Sequence, residues 1–179
     1  MSKTLELVIA GFGGQGVLFA GKILVTAGML EGKEVSWLPS YGPEMRGGTA
    51  NINVIVSDKP VGSPIITRPD MLVAMNQPSL EKFEKDVKNG GSIIVDSSLI
   101  PIKVSRNDVD TYYIPASGLA IEKELSGLAN MIIVGKIAKT TGLFSLEALE
   151  IAVRKSVPER KKDLVDLNIK AIKLGYDHQ

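Results

Sequence analysis

Short apolar runs alternate with longer amphipathic ones through the first 115 residues. Residues 5–10 (LELVIA) are apolar, few and stopped by Gly11, the pattern of a buried strand. In residues 15–30, Val17, Leu18, Ala20, Ile23, Leu24 and Ala27 recur near a 3.6 period, which predicts a helix with one buried face. A second short strand is expected over 34–38, followed by a glycine-rich loop over 39–48. Residues 51–57 (NINVIVS) alternate, so Ile52, Val54 and Val56 share one face of a further strand. Residues 60–69 carry three prolines and read as a connection. Buried strands are expected over 71–75 (MLVAM) and 92–95 (SIIV, ending at Asp96), with a polar helix over 78–87 between them. A short last strand is expected over 112–114. Helices then dominate, over 118–125, 129–141, 146–153 and 159–174. Gly135, in the second of these, is where another helix or a subunit could come close.

Strands separated by helices imply a mostly parallel sheet covered on both faces. The expected class is α/β, a three-layer α/β/α arrangement with a helical C-terminal region. The chain has 179 residues and fits one domain over 1–179. A chain of that size buries roughly 70% of its unfolded surface, so it needs no disulfide or metal to fold. Right-handed connections place the loops after the strand C-terminal ends along one sheet edge, where ligands gather.

Charge narrows the picture little: 21 basic and 20 acidic residues give a net charge of +1. With no one-sign tail, no affinity for nucleic acid or for a membrane surface is expected. The cysteine count of zero says more. It excludes disulfides, thiolate-held iron–sulfur clusters, thiolate zinc sites and a Cys nucleophile. The single histidine, His178, stands next to last, where chain ends usually fray, so no Ser-His-Asp arrangement is expected. Met1-Ser2-Lys3-Thr4 leads directly into an apolar run far shorter than the ~20 residues that span a bilayer. No signal peptide is expected, and the cytoplasm is the expected location.

Candidate chemistry starts at Gly11-Phe12-Gly13-Gly14-Gln15-Gly16, a G-x-G-x-x-G pattern between a predicted strand and a predicted helix. Such glycines let backbone N–H groups approach an anion at the positive end of the helix. A dinucleotide site also wants a carboxylate at the end of the second strand, to hold the ribose. Here that strand ends Trp37-Leu38-Pro39-Ser40, and Glu31 and Glu34 stand at its other end. A basic residue for a 2′-phosphate is missing there too. Phosphate binding and simple tight packing both stand as readings of the glycines. Lys22 lies about 10 Å along the helix from Gln15. Helical side chains lean toward the N-terminus, so its ammonium could neutralise a phosphate, or it is an ordinary solvated lysine.

The second loop, Ser40-Tyr41-Gly42-Pro43-Glu44-Met45-Arg46-Gly47-Gly48, joins an aromatic, a carboxylate and a guanidinium, and long loops in compact domains usually have a function. Arg46 offers a planar fork to a carboxylate or phosphate, or pairs with Glu44 or a neighbouring subunit. Following strand two, this loop should lie beside the first. The candidate binding residues are therefore Gly11, Gly13, Gly14, Gln15, Gly16, Lys22, Ser40, Tyr41, Glu44 and Arg46, with no catalytic and no metal-ligating residue. Asp96 reads as a turn or helix cap, and Trp37 as core or interface. Asn51 and Asn53 read as facing solvent or a subunit, and Tyr112 and Tyr113 as packing.

Together, GFGGQGVLFAGKIL (11–24) and SYGPEMRGGTAN (40–51) resemble the gamma subunit of 2-oxoacid:ferredoxin oxidoreductases. The resemblance continues through Val61-Gly62-Ser63-Pro64 and the NQPS turn at 76–79 and covers essentially the whole chain. It implies a complex that oxidatively decarboxylates a 2-oxoacid with coenzyme A, giving an acyl-CoA, carbon dioxide and reduced ferredoxin. In that family thiamine diphosphate, with its Mg, lies on alpha and beta subunits, and iron–sulfur clusters lie on cysteine-bearing chains. This sequence has neither cysteine nor a GDG-type thiamine motif. The resemblance implies alpha and beta partners and leaves open a ferredoxin-like delta partner and a homodimer of isolated copies. In single-chain relatives the corresponding glycine loop and lysine are implicated in holding coenzyme A, which carries over to Gly11, Gly13, Gly14, Gly16 and Lys22. SYGPEMRGG preceded by WLP resembles the 2-oxoglutarate or branched-chain (2-oxoisovalerate) type more than the pyruvate type. Two readings compete: a free-standing nucleotide- or flavin-binding domain, and a purely structural assembly subunit.

Overall fold

The structure, a computed structural model, describes residues 3–40 and 49–179. Its frame is one six-stranded sheet. In chain order the strands are β1 (Thr4–Phe12), β2 (Glu34–Ser40), β3 (Thr49–Ser57), β4 (Met71–Ala74), β5 (Ser92–Asp96) and β6 (Asp110–Ile114). Their spatial order is β2-β3-β1-β4-β5-β6. The pairs β1–β4, β4–β5 and β5–β6 are parallel, whereas β3 runs antiparallel to both β1 and β2. Five strands therefore share one direction and β3 alone opposes them. The mostly parallel sheet expected from the sequence is present, with β3 as its exception because β3 returns directly from β2.

The two faces are covered unequally. Along β1, Leu5, Leu7 and Ile9 enter the larger core, while Val8 enters a smaller one on the other face. The large core lies under α1 (Val17–Leu30), α3 (Ala116–Glu122), α4 (Ala129–Thr141), α5 (Leu146–Ser156) and α6 (Leu164–Asp177). The smaller face is closed by α2 (Gln77–Phe83), a 3₁₀ turn at Glu84–Asp86 and irregular chain that supplies Ile66, Ile100, Val104 and Val109. β4 (MLVA) is buried at every position, which is why it reads as a continuous apolar run.

Several boundaries moved for identifiable reasons. α1 starts at Val17 rather than at residue 15, because Gly16 has left-handed backbone (φ 73°) and ends the turn. α3 starts at Ala116, two residues earlier than the pattern suggests, because buried Asp96 accepts hydrogen bonds from the Ser117 N–H and hydroxyl. The expected helix over 159–174 is divided into a 3₁₀ turn at Glu159–Lys161, after Pro158, and α6. α2 starts where Asn76 caps the Ser79 N–H at 2.8 Å, with Pro78 in the first turn.

His178 does not hang free: its carbonyl accepts from Lys136 Nζ at 3.0 Å, and that ammonium sits over the Tyr112 ring. Burial, with Lys139 adding to it, lowers the Lys136 pKa. Tyr113 does more than pack, since its hydroxyl accepts from the Val104 N–H. Asn53 faces the proline segment, with a long 3.5 Å contact to the Pro64 carbonyl. Trp37 is 42% exposed and so is not core. Among the described residues no helix is long and apolar enough to cross a membrane.

Close contact at Gly135 is realised between helices. A Cβ there would stand 1.9 Å from the Ile172 carbonyl oxygen, and one at Gly175 would stand 1.8 Å from that of Ile132. α4 and α6 therefore meet backbone to backbone, with a glycine on each side of the crossing. Gly135→Ala or Gly175→Ala should lower the unfolding free energy by about 2–3 kcal/mol or more, the cost of overpacking a rigid contact. Gly62→Ala, where a Cβ meets nothing within 4 Å, should be near neutral in the same urea titration. Equal stability of all three variants would contradict this account of the crossing.

Candidate functional site

After β1 the chain turns to α1 on one face of the sheet; after β4 it turns to α2 on the other. The C-terminal ends of these two neighbouring parallel strands therefore diverge and leave a crevice, the position where open α/β sheets take ligands. The glycine turn forms one lip and Met75 the other. Gln15 ties them together. Its side-chain oxygen accepts from the Phe12 N–H at 2.5 Å, and its side-chain N–H donates to the Met75 carbonyl at 2.8 Å. The Met75 N–H in turn donates to the Ala10 carbonyl at 2.8 Å. Gln15 thus has its amide engaged within the chain and sets the geometry of the turn.

Above this brace lies a cleft of about 270 Å³ bounded by Gly14, Gln15, Met75, Ser117, Ile121 and Gly127. Gly13 and Gly14 are exposed on it or beside it, and Gly11 is buried beneath. Gly16 is fixed from the side. Asn130, 4% exposed, donates to the Gly16 carbonyl at 3.1 Å and occupies the space where a Cβ would stand. Among the described residues α1 consequently begins with no side-chain cap and no acidic residue in its first turn, an arrangement that suits an anion at its first N–H groups.

Lys22 is exposed on α1 and borders a second cleft of about 480 Å³, together with Gly16, Asn130, Arg160 and Lys161. Gly127 borders both clefts, so the two adjoin. Ser40 is exposed on the opposite face of the sheet, in a hollow with Asn51, Asn53, Phe83 and Asp86. The ends of the second loop do reach the crevice edge, since Asn51 pairs with both Ala10 and Ser40. Tyr41, Glu44 and Arg46 lie outside the described residues. The structure therefore brings together the glycine turn and Lys22, and sets Ser40 across the sheet from them.

Sequence reasoning did not find Ser117, Gly127, Asn130, Arg160 or Lys161. They come from distant segments, and only the basic run Arg160-Lys161-Lys162 after Pro158 carries a local signal. Replacing Gln15 by Ala removes both hydrogen bonds of the brace. It should lower stability by about 1–3 kcal/mol, while Gln15→Glu, which cannot donate to Met75, should recover only part of that loss in thermal unfolding. No change in either variant would contradict the brace.

Comparison with known proteins gives one consistent family. A family model described as "Pyruvate ferredoxin/flavodoxin oxidoreductase" matches residues 6–178. The chain is 38% identical over 175 residues to the 2-oxoglutarate synthase subunit KorC of Methanocaldococcus jannaschii, covering 96% of this chain and 92% of that one. It is also 38% identical over 177 residues to the ketoisovalerate oxidoreductase subunit VorA of Methanothermobacter marburgensis, covering 98% of this chain but 36% of that longer one. Among solved structures, the gamma subunit of a keto/oxoacid ferredoxin oxidoreductase from Geobacter sulfurreducens superposes with a TM-score of 0.83 at 35% identity. That match covers 97% of this chain and 96% of that one. With residues 6–178 matched by the family model and nearly all of the chain covered by relatives of similar length, the chain belongs to the pyruvate ferredoxin/flavodoxin oxidoreductase family and is of the gamma-subunit type.

Proposed function

We propose that this gamma subunit helps to hold coenzyme A in a complex that converts a 2-oxoacid, with 2-oxoglutarate favoured, to acyl-CoA and carbon dioxide while reducing ferredoxin. The observation that carries the reading is the uncapped start of α1 at the β1–β4 crevice, with Lys22 on the same helix. A coenzyme with phosphates and a long polar arm suits a positive helix end beside a narrow cleft. The relatives named for 2-oxoglutarate and ketoisovalerate support the choice of substrate class over pyruvate.

The other reactive groups of such a complex do not fit this chain. Iron–sulfur clusters need thiolates, and the sequence has no cysteine. Thiamine diphosphate and its magnesium lack an anchoring motif here. We therefore assign these groups to alpha and beta subunits and to a ferredoxin-like delta chain, with the cytoplasm as the compartment. Phe12 and Ile121, 40% and 74% exposed, flank the crevice and offer apolar surface to such a partner. The role left to this chain is to bind and orient.

In the assembled complex, Lys22→Ala should raise the KM for coenzyme A by about tenfold, equivalent to about 1.4 kcal/mol. The KM for the 2-oxoacid should barely move. Steady-state kinetics with each substrate varied in turn checks this, and unchanged coenzyme A kinetics would contradict the assignment.

A further inference from the structure

β2 is the end strand of the sheet, and among the described residues no strand pairs with its outer edge. The ladder fixes which of its groups face outward. The Glu6 and Ala10 carbonyls of β1 accept from Asp70 and Met75, on the β4 side. Alternate residues of a strand bond in opposite directions, so Leu5, Leu7 and Ile9 bond toward β3. They engage Val56, Val54 and Ile52 there, which turns those three away from β2. Their partners across the β2–β3 ladder, Val35, Trp37 and Pro39, therefore direct their backbone groups to the outer edge. Pro39 suits that direction, since it has no N–H to give a neighbour.

Free edges are ordinarily blunted by lysines, inward charges or a covering segment. Residues 35–40 (VSWLPS) carry no charge. The flank beside them is apolar too. Trp37 lies against Gly21 of α1 and Val35 against Gly28. Val25 stands between those glycines on the same side of the helix, and so rises beside the edge. Met29 follows at 62% exposure, with Trp37 at 42% and Leu38 at 38%.

This edge complements a second copy of itself. In antiparallel pairing about a two-fold axis at Ser36, Val35 of each copy meets Trp37 of the other. Two hydrogen bonds close each Val35–Trp37 pair and use every outward N–H and C=O of both residues. Pro39 falls opposite Lys33, whose N–H already donates to the Gly28 carbonyl, so the ladder ends where a donor is missing. Valine against tryptophan is a favourable cross-strand pair, and Glu34 stands opposite Leu38, so no like charges meet. The same axis passes α1 at the height of Val25 and brings the apolar flanks together. A strand of seven residues beside a helix of 14 presents a face about 23 Å long and about 20 Å deep. With the relief of its side chains, such a face reaches roughly the 600 Å² per partner of the smaller specific interfaces.

We propose that two copies of this chain join through β2 and α1, so that their sheets continue into one another across a two-fold axis at Ser36. The seam lies at the end of the sheet, away from the β1–β4 crevice, and does not rest on the coenzyme A reading.

The test is the mass of the full chain in solution by analytical ultracentrifugation, joined to cross-linking of cysteine variants, since the chain has no cysteine of its own. The wild type should sediment at twice the 19.2 kDa of one chain. Val35→Pro removes an outward N–H and no bond to β3, and Trp37→Lys places a charge in the seam. Each should return the single-chain mass with the circular dichroism of the wild type. Ser36→Cys, with its counterpart Cα about 4.5 Å away, should oxidise to a linked dimer. Leu38→Cys, displaced from its counterpart by about 13 Å, should not. A monomeric wild type, its edge taken only by another subunit of the complex, would overturn the proposal. So would a dimer that both Val35→Pro and Trp37→Lys leave intact, or equal cross-linking at positions 36 and 38.

Discussion

Gly16 cannot carry a side chain, because Asn130 fills the place and holds the glycine carbonyl. That single contact joins residues 114 positions apart and locks the start of α1 against the start of α4. It excludes a conventional Ser, Thr or Asp cap from α1, so the helix begins with donors that no side chain among the described residues caps. Gln15, one residue earlier, closes the floor by holding β1 to β4. Much of the binding geometry follows from these two side-chain amides, one fixing the helix start and the other the strand ends.

The sheet topology determines what that geometry can reach. β1 sends the chain to one face and β4 sends it to the other, which opens the crevice and separates its surroundings. Lys22 and the basic turn after α5 stand on the helical face, while Ser40 stands on the face closed by α2 and the proline segment. A ligand held by the glycine turn and Lys22 is therefore directed along α1 and away from Ser40. The glycine crossing of α4 and α6 supports this arrangement from behind, since it keeps α4 against the helix that follows the basic turn.

Much of the fold was legible because burial on both faces writes continuous apolar runs, as in MLVA at β4 and SIIVD at β5, and α4 spans the residues its pattern predicts. What sequence could not supply was contact between distant segments. The 159–174 pattern looks continuous, yet Pro158 and the 3₁₀ turn break it and place Arg160 and Lys161 beside Lys22. Gly135 was a visible oddity, whereas Gly175 gained meaning only from the Ile132 carbonyl beneath it. The motif singles out Gly11, Gly13, Gly14, Gly16 and Lys22 as candidates, and Gln15 with them, but the two internal hydrogen bonds of Gln15 are a property of the turn that no spacing rule reveals.

Because these 179 positions include no cysteine, the chain has no thiolate with which to hold an iron–sulfur cluster. We propose that the gamma chain binds and orients while its partners react. The most direct test is turnover by the purified chain alone, given 2-oxoglutarate, coenzyme A, thiamine diphosphate, magnesium and a ferredoxin acceptor, compared with the same chain after its partner subunits are added. The chain alone should give no acyl-CoA and no reduced acceptor, with both appearing on reconstitution. Decarboxylation or electron transfer by the chain in isolation would contradict the proposal.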